Sequence, residues 1–270
     1  MSAIASPLLE DLARYDLPAS SVVLSWFGQA SMALRLGGAT VLVDPFLSAH
    51  PERLIPPPFP AAEAHGVDLV LITHDHLDHL DEEALPAIAA ASPASEVVVP
   101  EAIVGRVSEL GIPEARVHGL EADGSVQHGA ITVAAVPACH GETMADAYRL
   151  GPFLGYVVGA GGVRVYHAGD TILFDGLVER LRELRIDLAL LPINGRDDER
   201  EAQGIVGNMD AHEAARLASD IDADAVVPMH WDMFAGNPGD PAAFVAAART
   251  AVIVPQHARP FVYAAPTGRR

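Results

Sequence analysis

Residues 69–79, LVLITHDHLDH, run from apolar positions straight into a cluster of imidazoles and carboxylates. The first half reads as a buried strand, because consecutive apolar residues without alternation suit a strand covered on both faces. The second half places His74, His76, Asp78 and His79 within six positions, with Asp75 between them. Side chains of this kind cannot pack so tightly unless positive charge sits among them, and a metal ion supplies it. His74 and His76, two apart beyond a strand, project the same way in an extended segment. If the chain turns helical after Leu77, Asp78 and His79 face a neighbouring point, so one short segment serves two adjacent ions.

Outward from this stretch, residues 7–15 predict a short helix, followed by strands over SVVLSWF, SMALRLG and ATVLVDP. The last two are joined through Gly37-Gly38, a hairpin signal. Next come strand 68–72, a helix from Asp81 to about Ala91, strand EVVVP, a helix over 101–110, and short strands at ARVHGL, GSVQHG and ITVAAVP. The second half repeats the theme: FLGYVVG and VRVYHAGD flank a Gly-rich turn, a helix over 172–184 leads to DLALLPI, and a helix over 211–219 leads to AVVPMH. Asp210 with Glu213 has the form of a capping box. Two halves of this kind predict an α/β fold, with two sheets face to face and helices outside both.

The 270 residues, half of them hydrophobic, suffice for one large domain, and no Ser/Gly-rich linker or fixed-period repeat divides them. One domain over residues 1–270 is the expectation. The N-terminus lacks the cationic lead and apolar core of an export signal, no run approaches a membrane span, and the single Cys139 cannot form an intramolecular disulfide. A cytoplasmic protein without a membrane partner is expected. The formal charge of −19, from 17 Lys and Arg against 36 Asp and Glu, argues against nucleic acid, which is bound mainly through basic clusters.

Ligand-type residues also stand at the ends of other apolar strands: Asp44 after TVLV, His140 after ITVAAVPAC, Asp170 after VRVYHAG and His230 after AVVPM. Singly, His140 and His230 read as core histidines, Asp170 as a helix cap and Asp44 as a turn former. Together, in order and context with His74, His76, Asp78 and His79, they resemble the successive motifs of the metallo-β-lactamase fold hydrolases, from about Trp26 to Phe234. The resemblance implies the four-layer αββα sandwich of that family. It also implies that His74, His76 and His140 bind one metal ion and Asp78, His79 and His230 a second, with Asp170 bridging them. Asp44 would orient the ligand loop from behind. His167, three residues before Asp170, is a second candidate for that supporting role. His50, His65, His118, His128, His212 and His257 have no motif context and read as surface or structural, and Cys139 as simply buried.

Imidazole and carboxylate without thiolate suit Zn, Mn, Fe or Ni. The resemblance implies two divalent ions, manganese first and zinc as the alternative. Two ions roughly 3.5–4 Å apart share a water and bring its pKa toward neutrality, so hydrolysis needs no Ser or Cys nucleophile. Asp78 is the candidate to accept the water's proton, and Asp78 and Asp170 are the candidate catalytic residues.

The segments LPINGRD, GIVGNMDAHEAARLA and VVPMHWDMFAGNPGDP, with FLGYVV, VRVYHAGDT and WFGQAS, resemble the branch that includes L-ascorbate-6-phosphate lactonase. That likeness, best over residues 153–238, implies opening of a small-molecule lactone, such as that of a phosphorylated sugar acid. Arg196 and Asn194 follow DLALLPI onto the rim, where a guanidinium suits an anionic group; an ion pair of Arg196 with Asp197 or Asp198 is an equal reading. Asn208 in GIVGN, Gln29 in FGQAS and Trp231 after His230 complete the candidate substrate residues, and Phe234 walls the pocket or anchors its loop. The net charge opposes an anionic substrate, although local cations act inside a screening length of about 8 Å. A phosphodiesterase and an acyl-homoserine lactone hydrolase on the same dinuclear site remain open, as does a non-catalytic scaffold or regulator. The hydrophobic content is compatible with a homo-oligomer, but no residue marks an interface.

Overall fold

Strands that are apolar at every position need cover on both faces, and this chain supplies it with two packed sheets and outer helices. The computed structural model describes residues 6–266. One sheet contains β1 (Ser21–Trp26), β2 (Met32–Leu36), β3 (Ala39–Val43), β4 (Leu69–Leu71), β5 (Glu96–Pro100), β6 (Val117–Leu120) and β14 (Phe261–Ala264), in the order β14-β1-β2-β3-β4-β5-β6. The other contains β7 (Ser125–His128), β8 (Ile131–His140), β9 (Arg149–Ala160), β10 (Val163–His167), β11 (Leu188–Pro192), β12 (Ala225–Met229) and β13 (Ala251–Val252), in the order β13-β12-β11-β10-β9-β8-β7. Each sheet begins with antiparallel neighbours and continues with parallel ones from β3 and from β10. The parallel strands require crossovers, which the helices provide.

Those helices are α1 (Pro7–Ala13), α2 (Ala84–Ala91), α3 (Val104–Glu109), α4 (Leu177–Leu184), α5 (Asp198–Ala202), α6 (Ala211–Asp220) and α7 (Pro241–Ala247). Alternation along β1 shows how the layers form. Val22, Leu24 and Trp26 join Val133, Tyr156 and Val165 of the second sheet in one core, while Val23 packs with Leu9 and Leu12 of α1 and Ile88 of α2 in another. Leu181 of α4 and Leu217 of α6 extend the first core over the outer side of the second sheet. Each such side chain contributes about 1.5–3 kcal/mol by leaving water. The four-layer α/β sandwich expected from the strand pattern is therefore the observed fold. No helix among the described residues is long and apolar enough to cross a membrane.

Three helix boundaries differ from the expectation. α2 starts at Ala84 because the Asp81 carboxylate lies ahead of it as a hub, accepting from the backbone N–H of Leu47, Ser48, Glu83 and Ala84 and from Ser48 Oγ. Residues 101–110 divide into a 3₁₀ turn at Glu101–Ile103 and then α3. The helix expected over 172–184 begins only at Leu177, since Gly176 is left-handed with φ 92°. α5, α7, β13 and β14 are additions that the apolar pattern did not announce. α5 is all polar except Ala202, and β14 alternates at the sheet's edge.

Removing the hub should be costly, because five donors lose one charged acceptor: Asp81→Ala is expected to lower the free energy of unfolding by about 2–4 kcal/mol, read by chemical denaturation. A loss below about 0.5 kcal/mol would show that water replaces the carboxylate at no cost.

Candidate metal centre

The parallel strands β3 and β4 end together, and the chain uses this to assemble a polar node. Asp44 follows β3 with φ 45°, a left-handed conformation costly for a non-glycine residue. Its side chain explains why it is tolerated. Asp44 Oδ1 accepts from Thr73 N at 2.8 Å, and Oδ2 accepts from Thr73 Oγ1 at 2.7 Å and from His79 Nδ1 at 2.7 Å. Beyond Thr73 the chain makes a single helical turn, in which His79 N and Leu80 N donate to His76 O. The turn expected after Leu77 thus forms, beginning at His76.

These hydrogen bonds also set which ring nitrogens stay free. A carboxylate cannot donate, so His79 Nδ1 carries the proton and Nε2 is left over. Thr73 Oγ1 gives its proton to Asp44, so it accepts from His74 Nδ1 at 3.0 Å and leaves His74 Nε2 free. His76 Nε2 donates to the Glu142 carbonyl at 3.2 Å and leaves Nδ1 free. The three unused nitrogens face the same region, with His74 Nε2 3.0 Å from His76 Nδ1.

The second sheet closes the site from the other side. His140, the last residue of β8, brings Nε2 to 3.3 Å from His76 Nδ1. Asp170, just beyond β10, splits its two oxygens: Oδ1 is 3.4 Å from His79 Nε2 and 3.3 Å from His230 Nε2, and Oδ2 is 3.7 Å from His140 Nε2. His230, after β12, also lies 3.4 Å from Asp78 Oδ2. Three triplets result whose donor atoms lie within 4.8 Å of one another: His74, His76, His140; His74, His79, Asp170; and Asp78, His79, His230.

Burial works against every charge here, and the outcome differs by position. It drives the His74 imidazole far below its ordinary value and lowers His140 to about 4, so these rings offer lone pairs. For His79 and His230 burial is outweighed by carboxylates, Asp170 foremost; His79 is raised well above the usual range and His230 to about 9. Against the same burial, His230 and His79 hold Asp170 well below the carboxylate range, and His79 with His230 lowers Asp78 too. Protons on two histidines therefore supply the positive charge that three carboxylates demand. His79 Nε2 and Asp170 Oδ1, both buried, make no hydrogen bond. A divalent cation satisfies the same demand, and an imidazole and carboxylate donor set suits Zn or Mn. The residues present fit a metal centre.

Residues 39–231 match the family model of the beta-lactamase superfamily domain. The chain belongs to the beta-lactamase superfamily. A UPF0173 metal-dependent hydrolase of Pyrobaculum aerophilum is 36% identical over 230 residues, covering 83% of this chain and 90% of that protein. One of Myxococcus xanthus is 33% identical over 225 residues, covering 81% and 73%. Among solved structures, Igni18, a metallo hydrolase of Ignicoccus hospitalis, superposes with a TM-score of 0.71 at 24% identity, covering 90% of this chain and 98% of its own. An isothiocyanate hydrolase from Delia radicum gut bacteria gives 0.72 at 21% identity, covering 90% and 99%. At these identities the structural likeness speaks for the fold alone.

In this superfamily member the supporting residues divide into two groups. His167 is fully buried; its Nε2 donates to Ala30 O at 2.7 Å and its Nδ1 accepts from Gly169 N, which fixes the backbone just before Asp170. Gln29, a candidate substrate residue, lies at the site and holds a candidate ligand: its Nε2 donates to Asp78 Oδ2 at 2.8 Å. Gln29 and His230 both have positive φ, 47° and 60°, and the Gln29 carbonyl links them by accepting from His230 N and Trp26 Nε1.

The expected substrate residues on the far rim are engaged elsewhere. Arg196 forms a two-pronged ion pair with Glu213 at 2.7 and 2.8 Å and donates to Asn208 O, so its partner is the capping-box glutamate and not Asp197 or Asp198. Asn208 Nδ2 donates to Asn194 Oδ1, and Asn194 Nδ2 donates to Asn237 Oδ1, a chain of amides that braces the loops. Trp231 stacks on Trp26 at 5.1 Å and anchors its loop. Thr73 and Phe153 escaped the sequence reading. Thr73 had a visible signal, as a hydroxyl between an apolar strand and His74; Phe153, whose ring centroid is 5.1 Å from that of His74, had none.

Asp44→Asn removes the charge and one of the two oxygens that hold Thr73 and His79, and is expected to weaken divalent-ion binding by about ten- to a hundredfold, measured by chelator competition. The raised His230 adds stability that is complete below about pH 6.5 and lost as pH rises through about 9. Calorimetry of metal-free protein should therefore show Tm falling across that window, with His230→Ala flattening the trend.

Proposed function

We propose that this chain is a metal-dependent hydrolase that opens lactones at a centre of two divalent ions. The observation that carries the reading is Asp170, whose two carboxylate oxygens face two different sets of imidazole nitrogens. The resemblance of the later segments to a lactonase branch supports the reaction, and its relatives' description as metal-dependent hydrolases supports the class. Manganese is the first ion to load and zinc the second.

Divalent ions held by these residues would supply a water of near-neutral pKa and a Lewis acid for the carbonyl. The chain's own residues do the rest. His74, His76 and His140 offer lone pairs whose direction is fixed from behind by Thr73 and the Glu142 carbonyl, and Asp44 does the same for His79. Gln29 occupies Asp78 Oδ2, which leaves Oδ1 to take the proton as the water oxygen attacks the carbonyl carbon. The ring C–O bond then breaks, and the departing alkoxide recovers that proton to give a hydroxy acid. Asp78 is only part-buried, so it reaches both the centre and the substrate space.

Manganese-loaded protein is expected to hydrolyse a γ-lactone faster than a phosphodiester such as bis-p-nitrophenyl phosphate. Asp170→Asn should lower kcat/KM by more than about a hundredfold while circular dichroism stays unchanged. Cleavage of the phosphodiester alone would replace the lactonase reading, and full activity in Asp170→Asn would remove the bridging role.

A further inference from the structure

Beside the centre, the structure has a cavity of about 730 Å³ whose wall includes Asp78. That volume is in the range used for small molecules. Its lining combines large apolar side chains with His50, Glu52, Arg53, Gln203 and Asn237. Leu54 and Leu77 are 61% and 56% exposed, and Ile205 and Phe234 are half-buried beside them. One exposed leucine needs no explanation, but four large apolar side chains around one cavity at a candidate catalytic carboxylate do.

The walls are fixed in advance. The Phe234 ring stands edge-on to His50 at 5.7 Å and lies 6.2 Å from Phe46, while Leu54 N donates to Met233 O at 2.8 Å, so the loops on either side are tied together. A pre-formed apolar wall binds without an ordering cost.

The side-chain charges favour an uncharged ligand over an anionic one. Arg53, the guanidinium in the lining, donates Nε to Ile55 O and Nη1 to Phe46 O and Ser48 O, while its Nη2 is buried without a hydrogen-bond partner. On the neighbouring rim Arg196 is held by Glu213, and Arg200 by Asp197, Asn194 O and Asn237 Oδ1. The ionised side chains left facing the cavity are Glu52 and Asp78, both acidic.

We infer that this cavity receives an uncharged alkyl or aryl substituent, and that the substrates are neutral lactones bearing such a group, not phosphorylated sugar lactones. The inference rests on the lactonase reading for the ring, but the cavity's preference is separable from it. Leu54 and Phe234 are the specificity-determining residues, and neither belongs to the metal-ligand set.

The test measures binding before turnover. Calorimetric titration of metal-free protein with a γ-alkyl lactone series, from methyl to hexyl, should show affinity rising roughly three- to fourfold per methylene. The heat-capacity change should grow more negative along the series. Leu54→Ser and Phe234→Ala should flatten that dependence; Leu54 is exposed, so its substitution leaves folding intact. 6-Phosphogluconolactone should bind at least about tenfold more weakly than the hexyl lactone. On the loaded enzyme, KM should fall along the same series. Binding that rises with chain length while no lactone turns over supports the cavity assignment and defeats the lactonase reading. Affinity independent of chain length, or tighter binding of the phosphorylated compound, overturns the cavity assignment.

Discussion

The Asp44 carboxylate is completely buried, and the ends of β3 and β4 are built around its need for donors. An ionised carboxylate out of water is costly unless each lone pair finds a proton, and here Thr73 N, Thr73 Oγ1 and His79 Nδ1 supply them. Meeting that demand fixes the path of the chain from residue 73 to residue 79. The same contacts decide ring tautomers: Thr73 can accept from His74 only because it donates to Asp44. One electrostatic constraint thus propagates through a hydroxyl and two imidazoles to the atoms that face the centre.

A second constraint is the balance of charge within the pocket. Against complete burial, Asp170 and Asp78 lie close enough to raise His230 to about 9. A site that holds protons this firmly in the absence of a cation is one in which a divalent ion displaces protons on binding. The strained backbones of Asp44, Gln29 and His230, each at positive φ, are tolerated because hydrogen bonds across the two sheets over-determine them. Rigidity here comes from polar contacts, whereas the two cores supply the bulk of the stability.

The substrate side is governed by different physics. The polar residues on the β11 rim satisfy one another: Arg196 with Glu213, Asn208 with Asn194, Asn194 with Asn237. Side chains already paired in this way have little to offer a ligand, since binding would first have to break an ion pair or an amide bond. The cavity beside Asp78 also presents Leu54, Leu77, Ile205 and Phe234, which interact through area and shape. A chain with a formal charge of −19 then has no need to concentrate cations at its mouth.

The two sheets and most strands were legible in the sequence because apolar runs and glycine turns are local signals. The placing of His74, His76, Asp78, His79, His140, Asp170 and His230 at strand ends was legible for the same reason. Gln29, Arg196 and Trp231 were not, because their partners Asp78, Glu213 and Trp26 lie 49, 17 and 205 residues away and only packing brings them together. By itself, then, the sequence determined the layered fold through local pattern, and through its family resemblance the inventory of candidate metal-ligating side chains. Only the tertiary structure decided which nitrogen of each ring faces the centre, which polar groups are already paired, and that an apolar cavity borders Asp78. Those properties depend on distances between segments remote in the chain.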